Sequence, residues 1–330
     1  MSKQIQLIFI GIDVGTSGVR AAAAGVTGTV LAEAECPLNS VRPPGSSIHE
    51  QDPQEWWKAV CLTVKQTVAK LKLLDCAIEV GGTAVTSTSG TLVVVDKYGK
   101  PLRPAILYDD GRAAAIAQEI NQQGKPPTIR LNASFSLAKA AWLRREEPGV
   151  WSQIRYLLHP ADWLSGKLTG QYGMSDTSNV LKLGYEPETG RWNDAVWLAG
   201  VSKEQLPQVA SPGKVVGVIS TKASADTGLP VDSKVMAGAT DGMTGLLASG
   251  VNQFGHANTT LGTTLIWKVL VEQKPKTSGE ASPGYPPRVR APPAFPAWPI
   301  SHAYIHPSCA CPRSPRHNRH RARTPATASA

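Results

Sequence analysis

Along the first segment, apolar and small residues come in short runs broken by glycines: "IQLIFIGID", "VRAAAAGV" and "VLAEAEC", with "TGT" as a turn between the last two. Runs of that length, rich in β-branched and small residues, predict an antiparallel meander of strands. The period then changes. In "DPQEWWKAVCLTVKQTVAKLK", Trp57, Val60, Val64, Val68 and Leu71 recur at helical spacing, so a long amphipathic helix with that buried face is expected. Asp52 as N-cap, Pro53 at the first helical position and Glu55 three residues after the cap mark its start. Trp56 and Trp57 read as packing residues.

Strand patterns return in "IEVGGTAVTSTSGTLVVVDKYGKPLRPAILYDD", where "KYGK" is a hairpin turn. Helical patterns follow in "GRAAAIAQEIN", "SFSLAKAAWLRREEP" and "PADWLSGKLTG". Further on, "KVMAGATDGMTGLLASG" reads as a strand, a sharp turn at Ala239-Thr240-Asp241, and a helix of small residues beginning near Asp241. Residues 1–252 therefore make one α/β domain with a mixed sheet and flanking helices. "GHANTTLGTTLIWKVLVE" has two strand-like runs about an "LGTT" turn, and residues 253–275 read as the first strands of an incomplete second domain. From 276 to 330 the proline density rules out both helix and sheet periodicity. Its Ala, Pro, Arg, Ser and His are what shifted GC-rich codons give. A frame-shifted or truncated reading is expected there, with an evolved low-complexity tail as the alternative, and both make the tail disordered.

The net charge of +9 changes little once located. Seven arginines, with no lysine and no acid, follow Ala281, which leaves only +2 for residues 1–280. With no aromatic platform among them, no nucleic-acid partner is expected. The cysteines Cys36, Cys61, Cys76, Cys309 and Cys311 are odd in number and without framework spacing, so free thiols are expected. The tail's Cys and His spacing matches no common zinc site. No apolar run approaches the roughly 18 residues that span a bilayer, and the N-terminus lacks a cleavage site. A soluble, cytoplasmic protein with no membrane partner is the expectation.

Chemistry concentrates in three places. "DVGTSG", Asp13 to Gly18, lacks the spacing and lysine of a Walker loop. A tight turn at Gly15 would instead aim backbone N–H groups and the Thr16 and Ser17 hydroxyls at a phosphate, with Asp13 holding a magnesium ion through water; a plain polar turn fits the residues equally well. "LGTT" is a second turn of similar composition, and Asp241 stands between them in sequence at a strand-to-helix corner. Phosphoryl transfer to a hydroxyl needs phosphate positioning, a metal and a carboxylate that accepts a proton. Asp176, Ser178 and Asn179 in "SDTSN" either approach a substrate or form a turn satisfied by its own backbone.

In the order and spacing of "GIDVGTSGVR", "DPQEWW", "TSTSGTLVVVD", "PAILYDDGRA", "LHPADWLSGKLTG", "SDTSNVLKLGYEP", "AGATDGMTGLLASG" and "TTLGTTL", the chain resembles the FGGY carbohydrate kinases of the actin-like (ribonuclease H-like) ATPase superfamily. The resemblance implies ATP and Mg²⁺ as cofactors and a small sugar as substrate, and leaves room for a homodimer. It makes Asp241 the general base, Asp13 the metal-associated acid, and Gly15, Thr16 and Ser17 the first phosphate turn. Gly262, Thr263 and Thr264 become the second. Ser89, Asp110 and Arg112 become sugar contacts, although Asp110 and Arg112 also fit a helix N-terminal acid and a surface arginine. Xylulose kinases usually carry Gly-Gln-Met-His-Gly where this chain has Ser87-Thr-Ser-Gly-Thr91. That departure, with "SLAKAAWL" and "NVLKLGY", is more similar to the ribulose kinases of cyanobacteria and plant plastids. Phosphorylation of a ketopentose, D-ribulose first, is therefore expected. The alternatives are D-xylulose, another polyol, or a fragment without catalysis.

Overall fold

The computed structural model describes residues 5–123, 129–261, 265–271 and 302–307. β1 (Ile5–Val14), β2 (Gly18–Gly25) and β3 (Val30–Pro37) form the expected antiparallel meander, with Asp13 paired to Arg20 and Arg20 to Glu35 across the strands. Gly18 is required where β2 meets β3, because a Cβ there would stand 2.8 Å from the Cys36 carbonyl oxygen. The helix α1 (Pro53–Leu71) starts as its sequence predicts, with the Asp52 side chain accepting the Gln54 N–H at 2.9 Å. It carries the chain across to β4 (Ala77–Ser87), which runs parallel to β1.

After β4 the chain builds a subsidiary layer that includes α2 (Ala114–Gln122) and α3 (Ser136–Glu146), then returns through α4 (Pro160–Thr169). β5 (Val215–Val218) and β6 (Lys234–Met236) complete a six-stranded mixed sheet in the order β5-β6-β4-β1-β2-β3. α5 (Asp241–Ala248) follows at once. Alternation along β1 puts Ile8, Ile10, Ile12 and Val14 into the core, where they pack with Trp56, Val60 and Val64 of α1 and Trp163, Leu164 and Leu168 of α4. Both Trp56 and Trp57 are buried. The opposite face of β1 leaves Leu7 and Phe9 partly exposed. A second core of Phe135, Leu137, Leu143, Leu157 and Leu183 belongs to the subsidiary layer.

Beyond the sheet, β7 (Ala257–Leu261) and β8 (Leu265–Val271) pair antiparallel. Leu270 packs with Met243 and Leu246 of α5, which fastens this hairpin to the main domain. In the tail, where no strand is expected, His302–Pro307 forms β9 along the other edge of β8. An open strand edge takes whatever backbone can supply hydrogen bonds, and "HAYIHP" has prolines only at its end. Cys36, Cys61 and Cys76 are free thiols; Cys309 and Cys311 lie outside the described residues. No helix among the described residues is long and apolar enough to cross a membrane.

Candidate functional site

Two parallel strands end side by side. Asp13 on β1 stands in register with Thr86 on β4, and a cleft at the carboxyl ends of such strands is where open α/β sheets bind ligands. The turn after β1 is held by its backbone: Gly15 N–H reaches Gly18 O at 3.0 Å and Leu38 N–H reaches Ser17 O at 2.9 Å. Gln51, itself buried, donates to Thr16 O at 2.8 Å and accepts Trp56 Nε1–H at 2.9 Å. One side chain thus ties the turn to the core. Thr16 is partly exposed and Ser17 exposed. Burial, then the nearby Asp241 charge, raise the Asp13 pKa above the ordinary carboxylate value, opposed by Arg20.

Asp241 arrives at the same rim from a different part of the chain. Gly238 is what lets it, since a Cβ there would sit 1.8 Å from Val85 O: the strand-to-helix corner passes directly against the β4 backbone. Asp241 is the first residue of α5, and its Oδ1 accepts the Gly242 N–H at 2.6 Å. Solvent reaches the residue, yet the density of protein around its carboxyl raises the pKa, against the pull of that N–H and of the Lys268 and Lys182 charges. Lys268, from β8, donates to Gly242 O at 2.5 Å.

The "TSGT" segment forms a further edge of the site. Gly90 has φ 87° and leaves no room for a side chain, because Ser134 O would lie 2.2 Å from its Cβ. Two buried lysines fasten this loop. Lys139 Nζ donates to Gly90 O at 2.9 Å, and Lys182 Nζ donates to Ser89 O at 3.2 Å. Burial lowers the Lys182 pKa to about 8, with the Asp241 charge opposing. Burial also drives Lys139 well below the ordinary lysine value. Since Lys182 bonds Ser89 and feels Asp241, the fold brings Ser89, Asp241 and Asp13 to one region.

Asp110 and Arg112 are treated differently. The Asp110 side chain is fully enclosed and accepts the His49 N–H at 2.7 Å and Arg112 Nε and Nη2 at 2.9 and 2.7 Å. Arg112 also donates to Glu50 at 2.6 Å and stacks over Trp142 at 4.9 Å. Burial pushes the Asp110 pKa up, but the Arg112 and backbone hydrogen bonds push harder and hold it below the usual range. Beside this pair, Tyr108 and Asp109 are the partly exposed residues. Gly262, Thr263 and Thr264 lie outside the described residues.

The model of the FGGY family of carbohydrate kinases, N-terminal domain, matches residues 8–248. The chain belongs to this family. Xylulose kinase of Klebsiella pneumoniae is 29% identical over 272 residues, covering 80% of this chain and 55% of that protein. The Escherichia coli K12 xylulose kinase is 29% identical over 274 residues, with coverages of 80% and 54%. The chain thus spans about half the length of the curated relatives it matches. Among solved structures, the xylulose kinase from Rhodospirillum rubrum superposes with a TM-score of 0.76 at 27% identity, over 81% of this chain and 56% of that one. A gluconate kinase structure from Lactobacillus acidophilus, at 21% identity and TM-score 0.73, shares the fold.

In this FGGY domain, sequence reasoning missed Gln51, Lys139, Lys182, Gly238 and Lys268. A glutamine or lysine earns no motif of its own, and each acts on a backbone carbonyl distant in sequence. Only Gly238, beside the turn already marked at Ala239, carried a local signal.

Proposed function

We propose that this domain carries the sugar-side and proton-accepting half of an ATP-dependent pentulose kinase. The observation that supports it most is the convergence of Asp13 and Asp241, two carboxylates with raised pKa, at the ends of adjoining elements. A carboxylate whose pKa lies above the ordinary value is better matched to accepting a proton near neutrality. Asp241 would take the proton of a primary sugar hydroxyl as that oxygen bonds the γ-phosphorus of ATP and ADP leaves with the bridging oxygen. The Asp241 charge raises the pKa of Asp13, and an acid in that position suits a divalent cation, which offsets the charge; Mg²⁺ binds through one or two carboxylates, waters and phosphate oxygens. Asp13 would hold it through water and thereby neutralise charge on the phosphates. The Thr16 and Ser17 hydroxyls at the Gly15 turn would bond the phosphates, with Gly262, Thr263 and Thr264 as the second turn. Ser89 would bond a sugar hydroxyl, and Asp110 with Arg112 would brace the Tyr108–Asp109 segment at the sugar.

Relatives named xylulose kinase favour D-xylulose over the D-ribulose that the "TSGT" segment suggests. Nothing among them speaks specifically for ribulose. The test is ADP release by the full chain with Mg-ATP and each ketopentose, with sugar affinity measured in parallel by calorimetry. D-xylulose-dependent turnover that Asp241→Asn abolishes, with sugar affinity kept within about threefold, supports the kinase. Sugar binding without turnover in the unaltered chain supports the alternative of a domain that binds but does not transfer. Turnover retained in Asp241→Asn defeats the assignment of the base.

A further inference from the structure

"SDTSN" forms a turn satisfied by its own backbone, as one reading of its sequence expects, and one further bond leaves it for the Thr240 amide. Asp176 and Ser178 are buried. Asp176 Oδ1 accepts the Ser178 and Asn179 amides at 2.8 and 3.1 Å and the Ser178 hydroxyl at 2.5 Å, and Asn179 Nδ2 donates to Oδ2 at 2.5 Å. The Ser178 proton is thereby committed to Asp176, and the hydroxyl oxygen is free to accept. It accepts the Thr240 N–H at 2.9 Å. From the other side, Thr86 at the end of β4 donates its hydroxyl to Ala239 O at 2.7 Å. Ala239 C=O and Thr240 N–H are the two polar ends of a single peptide plane, so each end is held by a side chain from a distant segment, beside the backbone bridge that pairs Thr240 with Ser87 of β4. Downstream, Thr240 O accepts the Met243 and Thr244 amides at 2.9 and 3.0 Å, which fixes the first turn of α5. The backbone of Asp241 is therefore gripped by the helix after it and by a side-chain clamp before it.

We infer that Thr86 and the Asp176–Ser178 pair are positioning residues, which lock the Ala239–Thr240 peptide so that the Asp241 carboxylate stays aimed at the sugar hydroxyl. This rests on Asp241 acting as the base, as proposed above. Without the clamp, that peptide can rotate while α5 stays formed, and a reacting group displaced by about 1 Å loses on the order of a hundredfold in rate. Sugar binding does not need the clamp, so the loss belongs in kcat and not in KM.

The test uses the full chain with Mg-ATP and D-xylulose, in the Ser178→Ala, Thr86→Val and Thr86→Ser variants, together with hydrogen exchange of the Thr240 amide by NMR. Ser178→Ala and Thr86→Val should lower kcat about 10- to 100-fold with KM within about twofold, and Thr86→Ser should restore it. In Ser178→Ala the Thr240 amide should exchange at least about 10-fold faster, while Met243 and Thr244 keep their protection. A kcat unchanged in Ser178→Ala and Thr86→Val overturns the inference, and so does unchanged Thr240 exchange. The Thr86 variants leave the Asp176 cluster intact and carry the test if Ser178→Ala fails to fold. Absence of turnover in the unaltered chain defeats the kinase reading instead, and Thr240 exchange then decides whether the clamp exists.

Discussion

Two acidic groups in this domain meet opposite treatment from the same fold. Asp110 is enclosed, held by Arg112 and two backbone amides, and pushed below the usual carboxylate range. Asp13 and Asp241 are left with raised pKa, reached by solvent and only partly offset by Arg20, Lys182 and Lys268. In the first case the charge is satisfied internally and contributes to architecture. In the second it is kept under-compensated, which costs the folded state some stability and leaves a group ready to take a proton or bind a cation. Both regions contain an Asp beside a glycine. What separates them is how closely a guanidinium approaches: Arg112 donates to Asp110 at 2.9 and 2.7 Å, whereas Arg20 stays 3.9 Å from Asp13.

The comparison predicts that Asp241→Asn lowers turnover by about 10²–10⁴-fold, while urea unfolding shows stability unchanged or slightly improved. Marked destabilisation would mean that Asp241, too, is architectural. Asp110→Ala should do the reverse. It leaves the buried Arg112 with Glu50 as its carboxylate partner and should lower unfolding free energy by about 1–3 kcal/mol, with calorimetric sugar affinity following only through the lost fold. A stable Asp110→Ala protein that no longer binds sugar would place Asp110 at the ligand.

Smaller effects are read from pH. Because the Asp110 pKa is depressed in the folded state, its contribution is complete above the ordinary value of 3.8 and disappears as pH falls through its folded value. Asp110→Asn should remove that part of the acid dependence in unfolding experiments; an unaltered profile contradicts the pairing. Lys182 has the opposite charge and titrates in an alkaline window. Its folded pKa of about 8 lies below the ordinary 10.5, so the unfolded chain holds a proton that the native state has lost. Stability should therefore rise with pH across that interval, and Lys182→Met should lessen the slope. Equal slopes in both proteins would show that the ammonium is not desolvated.

The meander, the α1 boundary and its buried face were legible because each depends on local period and capping: Asp52, Pro53 and the Trp57-to-Leu71 stripe carry their own signal. So did the position of Asp241 at a strand-to-helix corner. The Lys139 and Lys182 anchors were not legible, since a lysine satisfied by a distant carbonyl looks like any surface lysine. Nor was the sealing of Asp110: the alternative that made Arg112 a surface arginine missed its burial against Asp110 and Glu50. The strand at His302–Pro307 was missed for a related reason: its pairing is supplied by the edge of β8 and not by its own pattern.

By itself, then, the sequence determined the N-terminal meander, the long helix after Asp52 and the strand-to-helix corner at Asp241, and which glycine-hydroxyl turns and acids recur in family order, because those are properties of short-range spacing. Tertiary structure alone decided which acids stay open, which lysines are stripped of water, and that Thr86 and Ser178 grip one peptide ahead of Asp241. Burial and hydrogen-bond partners arise from chain segments far apart in sequence, and no local pattern encodes which of them will meet.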